Sequence, residues 1–361
     1  MKFITSRSEA LDKLRKYIES DISNYNVKRN FDFGVTDRSN VSCLSPYITH
    51  RLITEYETAK IVLKKHPFQK VDKFIQEIFW RVYWKGWLEL RPKVWTDFIE
   101  DLKTIKEDKD YLKAENGETD IECFNDWVNE LKNFNYLHNH TRMLFASIWI
   151  FTLRLPWQKG AEFFMKHLYD GDAASNTLSW RWVAGIQTKG KNYLAQSWNI
   201  SKFTNNKYKN VKLNENALPI IDKREYKISP FQISKNEDVN DNLIIFENEM
   251  LEDFLEKKKY KKIYFVLLGN ENRSVKLSTK VMDYKRGVIK SRLNEIKYEA
   301  ELLDGKSLTN LAKTSKSFDV IYPSIGENFS FLKMLVKKNN LDINFITREE
   351  DEFCWKFSNK G

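Results

Sequence analysis

Only three cysteines occur in 361 residues, and Cys43, Cys123 and Cys354 stand far apart with no CxxC pair. That spacing supports neither a disulfide framework nor a zinc or iron–sulfur site, and no metal centre is expected. Glycine (12) and proline (7) are also scarce. The stretch beyond residue 240 holds no GxGxxG and no GxxxxGK, so the two common nucleotide-phosphate fingerprints are missing there. The most apolar window, MLFASIWIFTL (143–153), is about half the ~20 residues a membrane span requires and ends at Arg154. The opening MKFITSRSEALDKLRK has no long apolar core of the signal-peptide kind. With 42% hydrophobic and 30% charged residues the composition is that of a soluble folded chain rather than a disordered one. A cytoplasmic protein without a membrane partner is expected.

The chain does have length enough for one large or two medium domains. Its net charge of +10 suits a polyanionic partner, and equally suits solubility alone. Aromatic usage is uneven. Ten of eleven tryptophans lie between Trp80 and Trp198, and all five histidines between His50 and His167. In that first region SEALDKLRKYIESDI, VDKFIQEIFWRVYWKGWLEL and DIECFNDWVNELKNF carry the 3.6-residue period, and TRMLFASIWIFTLR is apolar nearly all round, as a buried helix is. After Ser201 a Lys/Asn-rich stretch reads as an interdomain connector. Beyond residue 240 the short runs LIIFE, KIYFVLL, YEAELLDG, FDVIYPS and LDINFIT alternate with helical segments such as VMDYKRGVIKSRLNEI and NFSFLKMLVKKN. That alternation predicts a small parallel α/β layer. The division is therefore a helical domain over 1–205, a linker over 206–240 and an α/β domain over 241–361.

Four constellations carry chemistry. On a helix, Glu77, Trp80, Arg81 and Trp84 share one face. A carboxylate, a guanidinium and flat rings suit a heterocycle; the plainer alternative is a surface ion pair beside core indoles. Asn139, Arg142 and Met143 share a face in YLHNHTRM, which a cap or surface pair also explains. In DGDAASNTLSWRW, Asp172, Asn176 and Trp180 are spaced by four, while Trp180 and Trp182 cannot face the same way. Asp170 and Asp172 are costly to bury unpaired, so at least one needs a cation such as Arg142. Finally, VSCLSPY places Ser42 and Ser45 around Leu44 and runs into Pro46. Hydroxyls and amides at a helix start can hold phosphate, and an ordinary helix start with an early proline has the same look.

Taken in order, YNVKRNF, VSCLSPY, FIQEIFWRVYW, LHNHTRM and PWQKGAEFFMKHLYDGDAASNTLSWRWVAG resemble the FAD-binding domain of the photolyase/cryptochrome family. The resemblance covers about residues 1–205 and implies a mainly α fold: an all-helical FAD-binding domain, here followed by a small α/β, parallel-sheet, Rossmann-like domain. It implies FAD as cofactor. Tyr25, Ser42, Leu44 and Ser45 would hold the phosphates and ribityl chain, with Phe74, Glu77, Arg81 and Asn139 also on the cofactor-binding side. Arg142 would pair with Asp170 beside the isoalloxazine, Asp172 would bond the ring edge, and Asn176 would face the flavin N5. Val41 and Cys43 stand where the family often has a hydroxyl residue and an arginine.

The resemblance further implies a lesion pocket of Glu77, Trp80, Arg81, Asn139, Met143 and Trp182, and UV-damaged DNA, single- or double-stranded, as partner of a monomer. The implied activity is that of a blue-light-driven deoxyribodipyrimidine photolyase splitting cyclobutane pyrimidine dimers. The (6-4) relatives characteristically carry histidines where Asn139 and Met143 stand, and plant-type sensory cryptochromes an acid where Asn176 stands. A sensory cryptochrome remains the chief alternative, with a flavin-independent nucleic-acid-binding module as a third. Trp180 and Trp157 match the first two members of the family's electron-transfer chain; for the third, Tyr111, Trp127 and Trp149 are candidates. Most of the family carries an antenna-binding domain before the FAD domain, and this chain starts close to where that linker would end. Its C-terminal region, from IIFENEMLEDF to FCWKFSN, is loosely similar to such a domain, although no residue set there demands a pterin or deazaflavin antenna.

Overall fold

Local capping signals set where the helices begin. The computed structural model describes residues 3–231, 240–250 and 260–360. Helix α1 (Arg7–Ser20) starts at Ser6, whose hydroxyl accepts the Glu9 amide, and satisfies one of the donors a helix start leaves open. The single turns α2 (Tyr25–Lys28) and α3 (Ser45–Thr49) follow, then α4 (Glu55–Leu63), capped by Thr54. The long α5 (Phe68–Glu89) begins after Pro67. Next come α6 (Lys93–Thr104), α7 (Lys109–Asn116) and α8 (Glu122–Phe134). The apolar run TRMLFASIWIFTLR is not one α-helix. It divides into α9 (Asn139–Ser147) and a π-helical turn, Ile148–Thr152, closed by the Leu153 amide on the Ile148 carbonyl at 2.9 Å. The helical part ends with α10 (Trp157–His167), α11 (Ala173–Val183) and α12 (Ser197–Phe203).

The second part is a five-stranded, wholly parallel sheet. Its strands are β1 (Asn242–Phe246), β2 (Lys262–Val266), β3 (Ala300–Leu303), β4 (Ser317–Ile321) and β5 (Asp342–Ile346), in the order β3-β2-β1-β4-β5. In register, Ile244 lies beside Tyr264 and Val320. Between strands run α13 (Thr279–Glu295), α14 (Gly305–Thr314) and α15 (Glu327–Asn339), with α16 (Glu349–Trp355) after β5. Parallel strands need such crossovers, and the helices bury both sheet faces, which is why the strands read as apolar runs. The linker expected over 206–240 lies outside the described residues at 232–239, as do residues 251–254 of IIFENEMLEDF. The expected domains include the undescribed residues 1–2, 251–259 and 361.

One core sits among α5 to α11. A second joins Leu14, Tyr47 and Phe74 to Leu243, Phe265 and Val288, so one sheet face and α13 pack directly on the N-terminal helices. A third, with Leu308, Leu332 and Leu335, covers the opposite sheet face. The two parts meet closely at Gly86 on α5, where an added Cβ would fall 2.6 Å from the Trp355 ring and 2.9 Å from its Cα. Among the described residues no helix is long and apolar enough to cross a membrane, and no cluster of side chains has metal-ligand spacing.

Candidate functional site

The start of α11 organises the site. Asp172 caps it, one carboxylate oxygen accepting the amides of Ala174 (3.0 Å) and Ser175 (2.8 Å) and the other bonding Arg81 from α5. Arg81 therefore does not close an ion pair along its own helix with Glu77. Glu77 instead lies 3.7 Å from Arg29, which follows α2. Two residues before Asp172, Asp170 is buried and takes a hydrogen bond from Arg142 of α9 at 2.9 Å. Arg142 is held in turn by the Leu137 carbonyl (2.9 Å) and lies over the Tyr136 ring at 5.2 Å. Both aspartates thus have a guanidinium, each from a different helix. Burial pushes the Asp170 carboxyl up, but the charges of Arg142 and Arg81 outweigh it and hold Asp170 below the usual carboxylate range. The Ser45 hydroxyl also approaches this carboxylate and favours its charged form, but no donor is well placed on its buried second oxygen, Oδ1.

The remaining residues spread over three walls. On α5, Trp80 is 49% exposed and stacked on Trp84 (5.5 Å, 28°), a large apolar surface that a folded core would hide. Phe74, one turn and a half earlier, is buried against Tyr17 and Tyr25. Burial and the neighbouring Glu77 push the Tyr25 phenol pKa up. Ser42 and Ser45 are half-buried, Leu44 is buried, and Cys43 between them takes a left-handed backbone (φ 50°). Helix α3 is tied to the aspartate loop by the Thr49 hydroxyl, which donates to the Asp170 carbonyl at 3.3 Å. At the α9 start Asn139 is exposed and Met143 half-buried. Asn176 on α11 is buried, and its amide nitrogen donates to the Ala161 carbonyl at 2.8 Å.

The indoles separate as their spacing requires. Trp182 is half-buried and stacks on Tyr193 (5.7 Å, 27°); among the described residues no ring contact joins it to Trp80. Trp180 is buried against Phe164 (5.1 Å) and Trp149 (6.2 Å). This approach depends on Gly160 of α10, where a Cβ would stand 2.2 Å from the Trp180 ring. Trp157 stacks on Phe98 (5.7 Å) and has Arg181 over it at 6.0 Å. Of the three candidates for a third redox member, Trp149 touches both Trp180 and Tyr111 (5.9 Å), while Trp127 touches Tyr208. Arg29 and Tyr136 were not singled out from the sequence; the basic run after Tyr25 was the one available hint of the first.

Residues 74–238 match the model of the FAD binding domain of DNA photolyase. Over those residues the chain is similar to the FAD-binding domain of the photolyase/cryptochrome family. A deoxyribodipyrimidine photo-lyase of Buchnera aphidicola is 28% identical over 191 residues, covering 50% of this chain and 39% of its own length. One of Agrobacterium fabrum is 29% identical over 183 residues, covering 49% of this chain and 37% of its own. The chain therefore spans about two fifths of the length of these photolyase relatives. The crystal structure of a Synechocystis cryptochrome shares the fold, with a TM-score of 0.50 at 20% identity over 56% of this chain and 44% of that one. The donor set fits the cofactor: a buried carboxylate oxygen with no well-placed donor stands beside a second, paired aspartate and a buried amide, and the NH-bearing edge of a flavin would complete it.

Proposed function

We propose that this chain is a light-driven, FAD-dependent DNA repair enzyme that splits cyclobutane pyrimidine dimers. One observation carries the reading. The Arg81–Asp172 bond ties the exposed indole and carboxylate face of α5 to the loop that bears both aspartates. A pyrimidine dimer seated on the first would lie beside a flavin seated on the second. Bound and reduced, FAD would supply the light-excited electron for opening the cyclobutane ring and would recover it afterwards.

The chain's own groups bind and orient. Asp170 and Asp172 are paired with Arg142 and Arg81 and can accept hydrogen bonds from ring N–H groups. Asn176 has its nitrogen committed to Ala161, so its oxygen is the group free to face a flavin N–H. Tyr25, Phe74, Ser42, Leu44 and Ser45 form the wall toward the phosphate and ribityl end. On the DNA side, a dimer stacks poorly and leaves the duplex at less cost than an intact base. The stacked Trp80–Trp84 pair offers it a surface worth ~1–3 kcal/mol per base. Glu77 bonds the pyrimidine edge, Trp182, Asn139 and Met143 complete the pocket, and the excess of lysine and arginine holds flanking phosphates.

The test is direct. Reduced protein is mixed with a dimer-containing oligonucleotide under blue light, and restored thymine is followed by chromatography against a dark control. Restoration only in the light is expected. Bound flavin with no restoration in single- or double-stranded DNA would reject repair and favour a signalling protein; a colourless protein would reject the flavin as well.

A further inference from the structure

In an α/β sheet of order β3-β2-β1-β4-β5 the connections diverge beyond the carboxyl ends of β1 and β4, and a crevice opens there. The crevice is covered by α5 and the start of α11, which leaves a cavity of about 70 Å³ between the helical part and the sheet. By the same measure one water needs roughly 10–15 Å³, so the space suits a group of about five heavy atoms.

The carboxylates around the cavity already have donors. Glu247 is bonded by Arg273 at 2.7 Å with Lys285 at 3.6 Å, and Glu89 by the Tyr322 hydroxyl (2.6 Å) and the Ile325 amide (2.7 Å). Glu327 accepts the Ser274 and Val275 amides at 3.0 and 2.8 Å, and Asp172 is paired with Arg81. One cation is left over. Lys85 lines the cavity at 5% exposure, and among the described residues no hydrogen bond or ion pair within 4 Å engages its ammonium. The Glu89 and Asp351 carboxylates feel its charge, but from beyond 4 Å, and a lysine so buried is costly unless something negative joins it more closely.

Two further features converge. Helix α15, 13 residues long, begins at the cavity with Gly326, and no side chain caps its first turn. Its open amides and dipole favour an anion. On the same turn Asn328 is 7% exposed; its nitrogen serves Glu247 (2.9 Å) and Asn248 (3.0 Å), and its oxygen has no donor. An anion that also carries a proton would satisfy both the lysine and this oxygen. We propose that the cavity binds a phosphate group, as inorganic phosphate or a phosphate monoester, between Lys85 of the helical part and the first turn of α15. Bound there, phosphate would join the two parts directly behind the Asp172 loop.

The proposal is tested on the full chain by isothermal titration with inorganic phosphate, with adenosine monophosphate and with sulfate, at ionic strength held constant by chloride. Phosphate is expected to bind and to raise the melting temperature, with sulfate, which carries no proton at neutral pH, at least tenfold weaker. Tighter binding of the monophosphate identifies the ester as the ligand, and equal or weaker binding the free ion. Lys85→Met should weaken phosphate at least tenfold without lowering the phosphate-free melting temperature. Should that variant not fold, Ser324→Asp, which adds negative charge to the cavity wall, should give the same loss. Unchanged phosphate affinity in either folded variant, or no binding to the unmodified chain, overturns the site. Flavin absorbance in the same samples reports the cofactor site separately.

Discussion

Glu77 and Arg81 occupy successive positions on one face of α5, yet their partners lie on different elements, Arg29 at 3.7 Å for the first and Asp172 for the second. That divergence makes their roles separable by mutation. Glu77→Ala removes a carboxylate from the proposed lesion wall while the Asp172 cap and both aspartate–arginine pairs stay in place. Loss of one charge-assisted hydrogen bond is worth roughly 1.5–3 kcal/mol, so light-driven repair should slow on the order of 10–100-fold with flavin content unchanged; loss of flavin in the purified variant would place Glu77 on the cofactor instead. Glu89, farther along the helix, makes a different prediction. Burial raises its pKa to about 7 against an ordinary 4.5, although the Tyr322 and Ile325 bonds pull it back. A value raised in the folded state means that the proton is held more tightly there. The stability Glu89 contributes is therefore complete below pH 4.5 and lost as pH rises through about 7. Glu89→Gln keeps a carbonyl for the Ile325 amide and can donate to the Tyr322 oxygen. It should unfold at a higher temperature than the parent at pH 8 and show little difference at pH 5, an effect of about 3 kcal/mol at most. Parallel melting curves across that range would refute the assignment.

At the scale of elements, periodicity located α1, α5 and α8, and the five apolar runs beyond residue 240 are the five strands, because both signals arise within a few residues. The π-turn after α9 was not readable, since its apolar residues satisfy an α-helix equally well. Nor were the destinations of the charged side chains: Arg81 meets an aspartate 91 residues away, and only packing of α5 on α11 brings the two together. The same packing bears on electron supply. Trp180 is wedged between α10 and the π-turn, in ring contact with Trp149, whereas the ring partner of Trp157 is Phe98. If electrons reach the flavin by way of Trp180, contact distance favours Trp149 as the next donor. Trp149→Phe is then expected to slow photoreduction of the oxidised flavin by thiol about tenfold or more, and Trp157→Phe to slow it less. Following the 450 nm band under constant illumination distinguishes the two, and the reverse order would return the relay to Trp157.

The whole molecule is joined by charges that no local pattern announces. Arg51, fully buried just before α4, bonds both oxygens of Asp351 on α16 (3.1 and 2.9 Å), and the Tyr56 hydroxyl adds a third bond at 3.1 Å. Glu55 lies 3.5 Å from the same guanidinium with no other donor, while Glu249 takes Arg348. Such a cluster is a poor source of net stability, because its desolvation offsets its attraction, but removing its central cation leaves two buried carboxylates uncompensated. Arg51→Met should therefore cost roughly 3–5 kcal/mol. It should also loosen the joint between the parts, and the aromatic distribution provides the measurement: ten of eleven tryptophans are in the helical part, so indole fluorescence reports that part almost alone, whereas far-ultraviolet dichroism reports both. In the parent chain the two signals should change together on denaturation, as one cooperative transition. In the variant the dichroism should begin to change first as the sheet part is released. Coincident curves at a lower midpoint would mean that the second core, already shared between α1, α3 and the sheet, holds the molecule together without the buried charges.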